Sequence, residues 1–195
     1  GMNMRKIALH QLESLFAAIE ENAALYLPVD TAAGAKFERW ARGKTLSDAL
    51  NTVRSPKDFF FPQTENLMDF KVEGKQIEII DTRKESEDFV VFGVRACDVK
   101  SFDILDRVFL SEPVDTYYKN RREHGVIFSL ACTRPAETCF CGTFGIDAAN
   151  PAGDVACWKT EDALYLDAKT EKGAALLENI SLEAERGDVL AILGP

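Results

Sequence analysis

Four of the five cysteines of this 195-residue chain fall in two short stretches. Cys97 lies in Phe92-Gly93-Val94-Arg95-Ala96-Cys97-Asp98. Cys132, Cys139 and Cys141 lie in Cys132-Thr133-Arg134-Pro135-Ala136-Glu137-Thr138-Cys139-Phe140-Cys141. Thiolates are soft ligands, and four of them converging on one point satisfy the needs of a 4Fe-4S cluster. The spacing is neither Cys-x2-Cys-x2-Cys nor the plant ferredoxin pattern. Zinc prefers closer pairs, which only Cys139-Phe140-Cys141 approaches. Three readings therefore stay open: a cluster ligated by Cys97, Cys132, Cys139 and Cys141, a zinc site, or buried thiols acting as small hydrophobes. Cys157, in an apolar run beside Trp158, reads as a core residue.

The elements around these cysteines are those that would gather them. Phe89–Val94 is a continuous apolar run bounded by charge, the pattern of a buried strand. Val99, Phe102, Leu105, Val108 and Phe109 follow at helical spacing, with Asp98 placed as N-cap. Tyr117–Glu123 reads as a polar helix or connector, and Val126–Leu130 as a second apolar strand. Strand, crossover and strand in this order predict a parallel βαβ unit. Cys97 and Cys132 would then emerge at the carboxyl ends of neighbouring strands, where open α/β sheets place their ligands. Amides at the helix start favour a thiolate at Cys97. Arg95 and Arg134 are candidates to offset a cluster's negative charge, the alternative being that both are solvated.

The remaining elements complete an α/β fold: a central, mostly parallel sheet flanked by helices, with an antiparallel hairpin elaboration. Met4–Ala24 shows an apolar face through Ala8, Leu12, Leu15, Phe16, Ile19 and Ala23 and predicts one amphipathic helix. Leu25–Val29 predicts a strand, and Lys36–Arg42 a short strand or helical turn. Thr45 or Ser47 is read as the cap of a short helix running to Val53. Pro56 and Pro62 break regular helix around Phe59-Phe60-Phe61, three rings that cannot all point inward from one strand. They form either a buried loop or a face for a partner or ligand. Asp69–Arg83 predicts the hairpin, Val155–Trp158 and Ala163–Leu166 paired strands, and Lys169–Ile180 a helix.

Composition limits the function classes. The net charge of −9, with no basic stripe, argues against nucleic-acid binding. No apolar run reaches the ~20 residues of a membrane span, and no signal peptide is visible. A reducing, cytoplasmic setting is expected, where clustered thiols point to metal or redox chemistry. His10 and His124 have no nucleophile or carboxylate arranged about them in a catalytic pattern. The Rossmann and Walker glycine motifs are missing. Gly1 before Met2 reads as a tag remnant. The apolar end Ala191-Ile192-Leu193-Gly194-Pro195 suggests a fragment of a longer chain, with residues 1–195 one α/β domain.

Several of these segments resemble one family in order and spacing. They are Gly93-Val94-Arg95-Ala96-Cys97-Asp98, Leu105-Asp106-Arg107-Val108-Phe109, Asp115-Thr116-Tyr117-Tyr118, Arg121-Arg122-Glu123, and Cys132 with Cys139-Phe140-Cys141. Phe61-Pro62-Gln63-Thr64-Glu65 is similar to that family's Phe-Pro-Gln-x-Glu segment. The chain thus resembles the N-terminal domain of the iron–sulfur β subunits of cytoplasmic sulfhydrogenases and of the A subunits of anaerobic sulfite reductases. Deazaflavin-dependent hydrogenase β subunits are more distant relatives of the pattern. The resemblance implies electron transfer between a flavin-containing diaphorase subunit and a catalytic subunit, with Cys97, Cys132, Cys139 and Cys141 holding a 4Fe-4S cluster. It also implies a following ferredoxin-like pair of clusters, whose Cys-x2-Cys-x2-Cys run does not occur in this sequence. The family usually has proline where Ala96 stands. Beside this expectation stand a cofactor-free subunit-docking module and a zinc-stabilised domain.

Overall fold

A computed structural model describes residues 4–49, 51–62, 87–131 and 153–187, the side chains of the last stretch as far as residue 180. Within these residues a mixed sheet of seven strands runs in the order β1-β7-β6-β5-β4-β2-β3. The strands are β1 (Met4–Ala8), β2 (Ala24–Thr31), β3 (Gly34–Arg39), β4 (Phe89–Val94), β5 (Gly125–Leu130), β6 (Val155–Lys159) and β7 (Ala163–Ala168). The central four, β2, β4, β5 and β6, are parallel. β3 pairs antiparallel with β2, and β7 with β6, while β1 closes the far edge against β7. The expected α/β architecture is therefore present, with antiparallel hairpins on both flanks. The hairpin expected at 69–83 lies outside the described residues.

Helices cover both faces. α1 (Leu12–Asn22) and α4 (Glu171–Gly187) pack on one side, where Leu15, Phe16, Ile19, Leu176, Leu177 and Ile180 meet Val90, Phe92 and Phe128. α2 (Ala96–Phe109) and α3 (Thr116–His124) pack on the other with the 3-10 turn Pro56–Phe60. All six residues of β4 are buried, as a strand sandwiched between two helical layers must be. Asp115 caps α3, its carboxylate accepting from the Tyr118 amide at 2.9 Å.

Two local readings are corrected. Met4–Ala8 is a strand, not the first turns of a helix. The free edge of β7 offers a ladder for it, and Ile7 points into the core while Lys6 lies over the Tyr165 ring. Tertiary pairing there overrides a helical period that only Ala8 supported. No helix forms over 45–49 or 51–53. Ser47 instead closes a turn, its hydroxyl donating to Asp30 and accepting from the Ala49 amide.

The triple phenylalanine is the buried-loop alternative. Phe60 is fully buried, 4.8 Å from the Phe102 ring. Phe59 stacks near Tyr26, and Phe61 near Phe109 and Tyr118. The turn lets three consecutive rings reach one core because its residues do not alternate as a strand's do. Arg121 secures it from beneath. Its guanidinium lies 3.8 Å from the Phe89 ring centre, and Nε donates to the Phe59 carbonyl at 2.8 Å.

Candidate metal centre

The site begins with a glycine. Gly93 has φ +87°, a conformation that L side chains rarely adopt. It is the extra residue of a bulge, since Phe92 pairs with Phe128 while Val94 pairs with Ser129. The bulge changes which face the chain presents. Val90 and Phe92 join the α1/α4 core, but Val94 joins Phe89 and Val91 in the α2/α3 core. In an unbulged strand with Gly93 in register, Val94 would share the face of Val90 and Phe92. The strand therefore leaves the sheet already turned toward the face on which α2 runs.

α2 starts two residues before the expected Asp98 cap. Arg95 is its N-cap residue, extended and without a side-chain cap, and Ala96 and Cys97 are its first helical residues. Cys97 thus stands in the first turn, among amides that lack intrahelical acceptors and carry partial positive charge. Its side chain is half-buried and not in a disulfide. Asp98 turns inward, its carboxylate 3.5 Å from the Ser55 hydroxyl. Burial pushes its pKa above the ordinary carboxylate range, opposed by Lys57 and by the Ser55 contact.

A cavity of about 200 Å³ opens here, lined by Cys97, Asp98, Arg95, Gly93, Ser55 and Ala49, among others. Its roof is a strap formed by residues 44–49 and 51–55. The Ser47 amide donates to Pro28 O at 2.8 Å, and Lys159 Nζ to Asp48 Oδ1 at 2.6 Å. The Val53 amide donates to Ala35 O at 2.8 Å. These ties hold the strap against the second half of β2, the carboxyl end of β6 and the start of β3.

Arg95 joins strap, α2 and β5. Nη2 donates to Ala49 O at 3.0 Å, and Nη1 to Ala131 O at 3.3 Å. Ala131 directly follows β5 and directly precedes Cys132. The chain bearing Cys97 and the residue before Cys132 therefore leave neighbouring parallel strands at their carboxyl ends, as expected. Cys132, Cys139 and Cys141 themselves lie outside the described residues, as does Arg134. Among the described residues no group of three or more metal-ligating side chains occurs. Cys157 is fully buried on β6, and burial raises its thiol pKa, so it is the inert core residue expected. His124 ends α3 with Nδ1 2.7 Å from Asp88 Oδ1. His10 lies in a 3-10 turn leading to α1.

One exposed-edged thiol sits in an electropositive helix turn, and the backbone leading to a second is held beside it by an arginine. Sequence reading missed the strap and Ser55. Their contacts are largely to backbone carbonyls, which leave no signature in side-chain pattern.

These features define an α/β domain with a cysteine-bearing edge at the carboxyl ends of its parallel strands. No family model matches the chain. It is 32% identical over 173 residues to the protein named sulfhydrogenase 2 subunit beta of Pyrococcus furiosus, an alignment covering 87% of this chain. The resemblance to sulfhydrogenase β subunits therefore holds over most of the sequence. The chain spans about half the length of that curated relative, 50% of which is aligned. No helix among the described residues is long and apolar enough to cross a membrane.

Proposed function

We propose that this chain is an electron-transfer domain of a multi-subunit cytoplasmic oxidoreductase of hydrogenase or sulfite reductase type. Cys97, Cys132, Cys139 and Cys141 would hold a 4Fe-4S cluster, with a flavin-containing diaphorase subunit and a catalytic subunit as partners. The observation that supports the reading is that the segments leading to Cys97 and to Cys132 leave paired parallel strands at their carboxyl ends, with Arg95 bonded to the Ala131 carbonyl. The similarity to a protein named a sulfhydrogenase subunit supports it.

When bound, such a cluster supplies one-electron oxidation and reduction at a potential set by charge, hydrogen bonding and exposure. This chain's residues contribute the surroundings. Cys97 stands in the first turn of α2, where the helix amides carry partial positive charge. The strap narrows solvent access to the cavity beneath it. The Arg95 guanidinium, on the N-cap residue two positions before Cys97, would add positive charge at this end of the sheet.

Anaerobic purification of the chain, with iron and sulfide analysis and EPR of the reduced protein, tests the reading. The expected result is four irons and four sulfides per chain, in line with the cluster type, and loss of both in Cys97→Ser. Iron-free protein after anaerobic reconstitution overturns it. Stoichiometric zinc with tetrahedral sulfur ligation in the native protein would replace it with a structural zinc site.

A further inference from the structure

α2 carries an ordered stripe on the side away from the sheet. Val99, Phe102 and Leu105 pack inward. On the opposite side stand Lys100, Asp103, Ile104, Arg107 and Val108, all exposed. Ile104 and Val108 lie one turn apart and are 56% and 61% exposed. Two such side chains alone would say little, since scattered apolar residues are normal on a surface. The charges beside them give the stripe a direction. At about 100° per residue, Ile104 and Val108 occupy one flank of it and Asp103 and Arg107 the other. Asp103 lies 3.7 Å from Lys100, an exposed pair of little strength, and Arg107 makes no ion pair among the described residues.

We infer that this stripe is an interface between two copies of the chain, with α2 packed antiparallel against α2 of the second copy about a two-fold axis. The axis crosses level with the midpoint of Leu105 and Asp106. In an antiparallel pair related this way, each flank meets the same flank of the other helix. Ile104 then lies within one residue's rise, about 1.5 Å, of the level of Val108 of the second copy. Asp103 lies equally close in level to Arg107 of the second copy, and the two-fold repeats both contacts. A parallel arrangement would instead set Asp103 against Asp103 and Arg107 against Arg107. Opposite charges in one orientation and like charges in the other select the antiparallel pair. A face meant for an unrelated partner needs no such self-complementarity, which is why a second copy is the occupant assigned to it.

A single helix stripe buries less than the roughly 800 Å² per partner of a standard stable interface. The dimer is therefore weak, with Kd on the order of 10–100 μM. The pairing does not depend on what the cysteines hold, so it stands or falls apart from the proposed function.

Analytical ultracentrifugation of the full chain tests the pairing, over about 5–500 μM and in reductant so that no disulfide links the copies. Wild type should pass from monomer to dimer across this range. Ile104→Glu should raise Kd at least about tenfold. Val53→Ser, which removes a 52% exposed apolar side chain from the strap, should leave Kd unchanged. Asp103→Arg and Arg107→Asp should each weaken self-association by setting like charges opposite one another. Mixed together, these two variants should form a heterodimer, because every charge again meets its opposite. The double variant Asp103→Arg/Arg107→Asp should recover the wild-type Kd. Circular dichroism confirms that each variant is folded. Wild type that stays monomeric throughout overturns the inference, as does a dimer that Ile104→Glu leaves intact. Folded single variants that fail to associate when mixed overturn the antiparallel pairing.

Discussion

Arg122 and Asp106 face one another from consecutive helices, joined by two parallel hydrogen bonds of 2.9 Å, Nε to Oδ1 and Nη2 to Oδ2. Tyr118 donates to the same Oδ1 at 2.7 Å. The trio clamps α2, which carries Cys97, to α3, which leads into β5. Burial pushes the Asp106 carboxyl up, but the hydrogen bonds from Arg122 and Tyr118 outweigh it and hold its pKa below the ordinary value. A carboxyl depressed in the folded state stabilises the fold above its unfolded pKa, about 3.9. That contribution disappears as the pH falls through the folded value. Asp106→Asn should cost about 1–2 kcal/mol at pH 7, kept modest because the pair is partly exposed. Urea unfolding at pH 7 and again below the folded carboxyl pKa measures this. The gap between variant and wild type should shrink in acid, and an equal gap at both pH values would contradict the clamp's ionic character.

Gly93 and Gly43 share positive φ, +87° and +91°, but only one is crowded. A Cβ at Gly43 meets nothing within 4 Å, whereas at Gly93 it lies 3.1 Å from Pro28 Cδ. Gly43→Ala should therefore cost only the backbone strain, about 1–2 kcal/mol. Gly93→Ala should cost more, and should also disturb the bulge that aims Arg95 and Cys97. Thermal melts of both variants, read with iron uptake, separate the effects. At about 2–4 °C per kcal/mol for this chain length, the expected fall in Tm is measurable. Equal melting points would mean that the Pro28 contact relaxes freely.

Much of this arrangement was legible in sequence because it rests on apolar periodicity. Phe89–Val94 and Val126–Leu130 read as buried strands since both faces meet helices, which requires unbroken apolar runs. Cys157 read as core for the same reason. The start of the chain misled because β1 exists to pair with β7, an edge unknown until the sheet is assembled. Asp98 resembled a cap by residue type, yet Ser55 draws its carboxylate away and α2 begins earlier. The clasp of Arg95 was illegible because both acceptors are backbone carbonyls, common to every residue type.

Arg121 is a charged residue only 1% exposed, held by the Phe89 ring and the Phe59 carbonyl. Its planar cation stacks where an ammonium could not. Arg121→Ala should leave a cavity under the phenylalanine turn and cost about 3 kcal/mol or more. Arg121→Met keeps most of the volume and should cost less, since a buried charge is not itself a strong source of stability. Chemical denaturation of both ranks them. If the methionine variant were as unstable as the alanine one, polar contacts rather than packing would hold the turn.

The two cysteines among the described residues should differ sharply toward an alkylating reagent. Cys97 is half-buried in the first turn of α2, at an end of the sheet lined by the cavity. Cys157 is fully buried on β6, and its thiol is pushed up by desolvation. Reaction at Cys157 must wait for opening of the central sheet, whereas Cys97 needs only local fluctuation. Iodoacetamide applied to metal-free protein, followed by peptide mass mapping, should label Cys97 at least about 100-fold faster than Cys157. Anaerobic loading with iron and sulfide should then suppress labelling at Cys97 and leave the slow rate at Cys157 unchanged. Protection of Cys157 alone would remove Cys97 from the ligand set. Persistence of rapid Cys97 labelling in protein that retains iron would place the metal on other thiols.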